Sequence, residues 1–388
     1  MSQPNTKLQS LDILKGIAIL MIIVVHNRHF TLQNTAGLRQ LINFGQMGCQ
    51  IFFLVSGMAL CYSWSHSVAK QPICHMSDWF SHYCSFIKSR YLRLAPGFLL
   101  ILGVNYLLNV ILIDCFNLSA GFVMNMEPAA LLSNILFIHG LSPAYINNVF
   151  PGGWYIGTTF LLYLLFPVLI SIYTFLYKRC PHSIIVLPLL FWSIGFGLLL
   201  LLSRMNNPLL SAANNSYLYF CVLNQLPCFS LGITLYFQEQ DNFSVKVPLL
   251  ISVPFTVITL LLSIYLFIRP IHPYIFFILP TLTGFAFYWL AVVLLHLEKK
   301  GALIQLSFLI SCGRNSYGMY LIHAFFCWYG IKALTAFLTQ HNISCPDLLL
   351  YIILLPITIF CVYHAGKLMT RLLDIIDSKL RFHSKRSL

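Results

Sequence analysis

Long apolar stretches, separated by short polar or basic connections, make up most of the chain. About 20 consecutive apolar residues are enough to cross the hydrocarbon core of a bilayer as one α-helix, so each long stretch predicts a transmembrane helix. The ten predicted helices cover residues 11–29, 42–63, 94–113, 153–177, 182–203, 217–237, 247–268, 274–296, 316–338 and 348–369. A shorter run at 129–141 predicts a re-entrant or surface-lying segment instead.

Composition agrees with a membrane protein. The 388 residues are 59% hydrophobic and 9% charged, with a mean hydropathy of +0.80, which excludes an ordinary soluble domain. A net charge of +13 would suggest a nucleic-acid partner for a soluble chain, but in a membrane protein the position of the charges matters more. We predict an all-α polytopic bundle in one domain over 1–388, with no nucleic-acid partner. Residues 10–370 form the bundle and 371–388 a short basic cytoplasmic tail, and no appended soluble domain is expected.

The positions of the basic residues predict the orientation, because Lys and Arg accumulate in cytoplasmic loops. With the N-terminus inside, eighteen of the 23 basic residues fall on the inner side. The five on the outer side are Arg28, Arg39, Arg204, Arg269 and Lys332. Both termini are therefore predicted to lie in the cytoplasm.

The first apolar stretch, residues 11–30, carries two ionisable groups that would share one helix face. Lys15 and His26 are eleven positions apart, within about 20° of each other around the helix and about 16 Å apart along it. Asp12 falls beside the same stripe. Ionisable side chains inside a membrane usually face a protein interior or a wet cavity. Alternatively, Lys15 is a snorkelling anchor and His26 an interfacial or hydrogen-bonded core residue.

A basic cluster lies in the predicted cytoplasmic loop before the third helix. Arg90 and Arg93 are three residues apart, which would place two guanidinium groups on one face, suited to phosphate oxygens. Positive-inside anchoring explains the same cluster equally well.

Two further helices carry candidate polar groups. Trp154 stands where an aromatic-belt residue would meet the outer boundary, with Tyr163 deeper in the same helix. In the ninth helix, Ser316, Tyr320 and His323 are spaced to project on one face. His323 either helps Arg314 to hold a phosphorylated ligand or is a core hydrogen-bonding residue.

Together these stretches resemble the membrane-bound acyltransferase-3 family of bacterial O-acyltransferases. The similar motifs are, in chain order, LDILKGIAILMIIVVH with Lys15 and His26, GCQIFFLVSGMAL, Arg90-x-x-Arg93 followed by Pro96, WYIGTTFLLYLLFP, LPCFSLG and SYGMYLIH. They cover most of the chain in the family's order. Two departures are visible: Lys15 stands where Arg is commoner, and Thr159 and Phe160 stand where the family often has Glu.

The resemblance implies transfer of an acyl group, usually acetyl from acetyl-CoA, to a surface glycan or lipid-linked oligosaccharide across a bacterial inner membrane. Under this hypothesis His26 and Lys15 are catalytic, with His26 as a general base or as an acyl-histidine nucleophile. Donor-binding residues are then Arg90, Arg93, Arg314 and His323. Substrate-binding residues are Asp12, Trp154, Tyr163, Ser316 and Tyr320. Glu127 and Asp114 are the candidates for the group that orients His26.

Two other functions remain open on sequence grounds. A transporter or flippase for an anionic or lipid-linked solute would also line its path with basic residues, although no carboxylate lies midway through a predicted span. A non-catalytic scaffold of a glycan assembly complex would not depend on His26.

Overall fold

The computed structural model describes residues 8–28, 31–32, 36–111 and 124–386, and these residues contain helices and no strand. The first eight helices are α1 (Gln9–Asn27), α2 (Ala36–Asn43), α3 (Gly48–Lys70), α4 (Met76–Val110), α5 (Pro128–Ile135), α6 (Trp154–Arg179), α7 (Leu187–Ser203) and α8 (Tyr217–Phe220). The next eight are α9 (Val222–Gln240), α10 (Phe243–Lys246), α11 (Leu249–Ile268), α12 (Leu279–Lys299), α13 (Ser307–Arg314), α14 (Ser316–Ala324), α15 (Ile331–Gln340) and α16 (Asp347–Arg386).

Ten helical segments within the described residues are long and apolar enough to cross a membrane, as the sequence predicted. They follow the predicted order, from Gln9–Asn27 to Asp347–Lys379. The chain is therefore a multi-pass membrane protein. In the ninth segment, α14 passes through a π-helical turn, Phe325–Gly330, into α15.

Two helices extend well beyond the predicted spans. The prediction that the basic cluster lies in a loop is wrong. Helix α4 begins at Met76 and includes both Arg90 and Arg93. The Asp78 carboxylate accepts hydrogen bonds from the backbone N–H groups of Cys74 and His75, which starts the helix. Likewise α16 continues to Arg386, so the predicted tail is helical that far. Apolar length marks only the membrane-embedded part of a helix, so these extensions could not be predicted from hydropathy.

The short run at 129–141 does not cross the bundle, as predicted. It forms α5 and a single 3-10 turn, His139–Leu141, and eight helical residues are far too few to span a bilayer.

Helix α1 is the central element, packed against α3, α12, α13, α14 and α16. Small residues permit the closest approaches between helices. A Cβ added to Gly57 of α3 would lie 2.1 Å from the Phe229 carbonyl oxygen, and one added to Gly232 of α9 would lie 1.9 Å from the Leu54 carbonyl oxygen. The backbones of α3 and α9 therefore touch, which only glycine allows.

Candidate active site

A cavity of about 1320 Å³ opens at the end of the bundle where α1 begins. We call it the donor cavity, after the role that is proposed for it below. Its lining includes four basic side chains, Lys15, Arg93, Lys299 and Arg314, and four acidic ones, Asp12, Glu239, Asp374 and Asp377. Residues from α1, α4, α12, α13 and α16 meet there, so the sequence brings charges together from helices far apart in the chain.

Asp12 joins two of the predicted site residues. Its carboxylate lies 2.6 Å from Lys15 Nζ, one turn along α1, and 3.2 Å from Arg314 Nε of α13. The side chain of Asp12 is only 7% exposed, whereas Arg314 is 54% exposed. The approach is close because Gly313 packs against the Asp12 backbone, where an added Cβ would lie 1.7 Å from the carbonyl oxygen. The carboxylate thus holds two cations at the wall of the donor cavity.

Of the other two cations in the cavity, one is paired with a carboxylate and one is not. Lys299 Nζ lies 2.6 Å from Glu239, so its charge is matched within the protein. Arg93 is exposed and has no carboxylate within 4 Å among the described residues. Arg93 is therefore the cavity cation most open to a bound anion.

Arg90 does not join the donor cavity, although it is on the same helix as Arg93. Its Nη2 donates a 2.7 Å hydrogen bond to Ser63 of α3, and its guanidinium lies over the Phe86 ring, 5.1 Å from the centroid. Arg90 ties α4 to α3, while Arg93 and Arg314 share the cavity wall. The predicted fork of two guanidinium groups is thus divided.

His26 lies at the opposite end of α1, beside a second histidine. Its ring centroid is 5.2 Å from that of His323 and 6.1 Å from that of Trp328. His323 is therefore not next to Arg314, where a phosphate ligand was expected. It stands about 10 Å along α14 from Ser316, and Ser316 is buried at the start of that helix.

The surroundings of His323 select one tautomer of its neutral ring. It is 1% exposed, and its Nδ1 faces the carbonyl oxygen of Tyr320, which can only accept, so Nδ1 carries the hydrogen. Nε2 then presents a lone pair, and it is covered by protein with no hydrogen-bond partner in the described part of the chain. In its neutral form His323 thus offers a hydrogen-bond acceptor beside His26.

Tyrosine side chains occupy the region between the two ends. The Tyr320 ring lies 5.3 Å from His323 and 5.2 Å from Tyr155, by centroids. Tyr163 lies within electrostatic range of both Tyr155 and Tyr317. Tyr317 lines the donor cavity and donates a 2.6 Å hydrogen bond to the Leu94 carbonyl oxygen. We call this series the tyrosine file; two of its members, Tyr155 and Tyr317, were not predicted, although both lie within the quoted motifs.

Trp154 is not a lipid-facing belt residue, contrary to the sequence interpretation. It is buried and stacks on Phe220, with centroids 4.4 Å apart. The start of α6 is held by His139, whose Nε2–H donates a 3.0 Å hydrogen bond to the Gly153 carbonyl oxygen. Burial lowers the pKa of His139, so the ring is neutral. This support fixes Trp154 and Tyr155 in the core.

Of the two groups predicted to orient His26, only Glu127 lies within the described residues. Asp114 lies outside the described residues, and Glu127 is exposed, where its carboxylate raises the pKa of Tyr145. The structure places His323 and Trp328 beside the imidazole instead. The spacing within SYGMYLIH predicted the shared face of Tyr320 and His323, but not which helix that face would meet.

The sequence model of a family described as an acyltransferase domain matches residues 8–366. The chain belongs to the acyltransferase-3 family. The matched residues of this acyltransferase include both ends of α1, the tyrosine file and the donor cavity apart from its lining by α16, residues 370–377. No curated protein and no solved structure matched it. Family membership shows acyl transfer as the reaction class, carried out by a multi-pass membrane protein.

Proposed function

We propose that this acyltransferase moves an acetyl group from acetyl-CoA, bound in the donor cavity, to a hydroxyl of a glycan at the His26 end. The observation that supports this most directly is the placement of a charge-lined cavity and a pair of neighbouring histidines at opposite ends of one helix, α1. The tyrosine file lies between them. Such an arrangement lets a cytoplasmic donor reach an acceptor on the far side without moving bulky CoA across the bilayer.

The donor cavity offers CoA one cation for its phosphates and enough volume for the molecule. CoA phosphates would meet the Arg93 guanidinium, which has no acidic partner among the described residues, with Arg314 and Lys15 nearby. Charge-assisted hydrogen bonds from guanidinium to phosphate are among the strongest in proteins. A volume of about 1320 Å³ exceeds the usual range for small-molecule sites, about 300–1,000 Å³, as a nucleotide with a long arm requires. Lys15 then serves the donor side, since it lies at the cavity wall.

At the other end, His26 would remove the proton from the acceptor hydroxyl. The hydroxyl oxygen attacks the thioester carbonyl carbon, the carbon–sulfur bond breaks, and the proton held by His26 passes to the departing thiolate. The Nε2 lone pair of His323 is suited to accept a hydrogen bond from the imidazolium formed at His26, which stabilises that charge.

An acyl-histidine intermediate is the second route through the same residues. In that route the His26 nitrogen attacks the thioester, CoA leaves, and the acceptor hydroxyl then attacks the acyl-imidazole. Acid quenching in the absence of acceptor distinguishes the two, because only the second route leaves an acetyl group on the protein.

The acceptor side of the proposal follows from the distribution of basic residues. Eighteen of 23 lie on the side that carries both termini if the N-terminus is cytoplasmic. We place the donor cavity in the cytoplasm and His26 near the periplasmic face of a bacterial inner membrane. A cell-surface or lipid-linked glycan, such as an O-antigen polysaccharide, is the acceptor under this proposal.

The test compares His26→Ala with the native chain in cells, using mass spectrometry of surface glycans to detect added acetyl groups. His272→Ala is the control, because that imidazole is exposed in a loop. We expect acetylation to disappear only in His26→Ala, with acetyl-CoA binding by the purified variant retained. Solute flux by the reconstituted protein without release of CoA would establish a transporter instead, and full glycan modification by His26→Ala would favour a scaffold.

A further inference from the structure

Arg28 ends the first helix two residues beyond His26. Its backbone N–H donates to the His26 carbonyl oxygen as a C-cap, and its side chain is half-buried. Two guanidinium nitrogens, Nε and Nη1, are covered by protein and have no hydrogen-bond acceptor among the described residues. Burial and the nearby Arg39 lower the pKa of Arg28 to about 10, which still leaves the group charged at neutral pH.

This arrangement is costly for the protein alone. A buried cation is normally matched by a carboxylate, yet no ion pair to Arg28 exists in the described part of the chain. The second charge in its environment, Arg39, has the same sign. The neighbouring Tyr351 hydroxyl already donates to the Val24 carbonyl oxygen. Two positive charges therefore lie near each other at the His26 end, and no carboxylate among the described residues pairs with Arg28.

We propose that Arg28 and Arg39 together bind a phosphate or diphosphate group of the acceptor. This acyltransferase would then select acceptors that carry such a group, in a lipid linkage or on the glycan itself, over neutral sugars. The choice of acceptor rests on the proposed function; the binding of the anion does not.

The geometry supports an acceptor-side role. Arg28 lies about 3 Å farther along the helix axis than His26, at the end opposite to Asp12 and the donor cavity. A phosphate held there would anchor the acceptor next to the imidazole. Two guanidinium groups match the charge of a phosphate or diphosphate, and their planar donors suit its oxygens.

The first test measures anion binding without acyl transfer. The full-length protein is purified in uncharged detergent and saturated with CoA to fill the donor cavity, and binding of radiolabelled inorganic pyrophosphate is measured. We expect Arg28→Gln to weaken binding about tenfold or more and Arg28→Lys to restore it in part. Arg204→Gln, an exposed arginine of another loop, should bind as the native chain does.

A second variant guards against misfolding of Arg28→Gln. Arg39 is exposed, so Arg39→Gln should fold normally and still weaken pyrophosphate binding several-fold. Unchanged binding in both Arg28→Gln and Arg39→Gln would overturn the proposal.

The second test separates an acceptor phosphate from a lipid headgroup. The protein is placed in nanodiscs of phosphatidylcholine, with or without phosphatidylglycerol, and given a saccharide and its phosphorylated form as acceptors. We expect Arg28→Gln to reduce transfer to the phosphorylated acceptor alone. Equal loss of transfer with both acceptors would overturn the acceptor assignment. So would displacement of bound pyrophosphate by phosphatidylglycerol, if the preference between the two acceptors is unchanged. No transfer by the native chain, with Arg28-dependent pyrophosphate binding, would refute the proposed function and leave the anion site standing.

Discussion

Asp12 shows how a single side chain organises the donor cavity. Its buried carboxylate neutralises Lys15 and Arg314 at once, so those two cations stay in place at the wall when no ligand is bound. Arg93 receives no such help from the described residues and keeps its full attraction for an anion. Among the cavity cations, Arg93 should therefore gain most when a phosphate arrives.

This difference yields a matched pair of variants on one helix. Arg93→Gln should raise the KM for acetyl-CoA about tenfold to a hundredfold with little change in kcat, because one charge-assisted contact to phosphate is lost. Arg90→Gln removes the same charge from the same helix, but its side chain is bound to Ser63, so its KM should change much less. Initial-rate kinetics at varied acetyl-CoA provide the measurement, and equal effects of the two substitutions would contradict the assignment of Arg93.

Residue-scale predictions from the sequence succeeded along single helices and failed between them. The Lys15 to His26 separation within one span follows from helix geometry, and the two residues do occupy different ends of α1. The sequence placed His323 with Arg314 because both lie near one predicted helix. A break at Asn315 instead divides α13 from α14, and the partner of each residue is set by how those two short helices pack on α1.

At the scale of the helices, glycine determines how closely α3 and α9 approach. Gly57 of α3 faces the backbone of α9, and Gly232 of α9 faces the backbone of α3. A methyl group added at either position would clash with a carbonyl oxygen of the other helix. Gly45, Gly48 and Gly57 all meet backbone atoms of a neighbouring helix. The sequence does not tell which helix each glycine contacts, because a small residue does not specify its partner. Only the three-dimensional arrangement shows this.

Gly232→Ala tests this contact. Overpacking costs typically about 1–3 kcal/mol, and here the clash is with backbone, which cannot move aside as a side chain does. We expect a lower melting temperature in detergent and reduced activity. Gly197→Ala in α7 is the control, because nothing lies within 4 Å of the added Cβ, and alanine favours the helix. A melting temperature for Gly232→Ala as high as that of Gly197→Ala would show that α3 and α9 do not touch there.

For the whole molecule, the number and order of the spans were readable from apolar length, because a bilayer imposes one length on every crossing. The unpredicted parts are those that the bilayer does not constrain. The extension of α4 back to Met76 and the continuation of α16 to Arg386 lie among polar and basic residues. Hydropathy also cannot predict the donor cavity, because the cavity forms where residues from at least five helices meet at one end of the bundle.

The orientation of the whole bundle is the remaining prediction, and every assignment of donor and acceptor sides depends on it. The distribution of basic residues places Asn148 outside and Ser384 inside. In a variant with Cys115 and Cys345 replaced by serine, an impermeant maleimide added to spheroplasts should label a cysteine introduced at Asn148 and leave one at Ser384 unlabelled until the cells are lysed. The exposed native cysteines, Cys74, Cys84 and Cys180, lie on the predicted cytoplasmic side and should also react only after lysis. The reverse pattern would put the donor cavity outside, where no acetyl-CoA is made, and the proposed direction of transfer would fail with it.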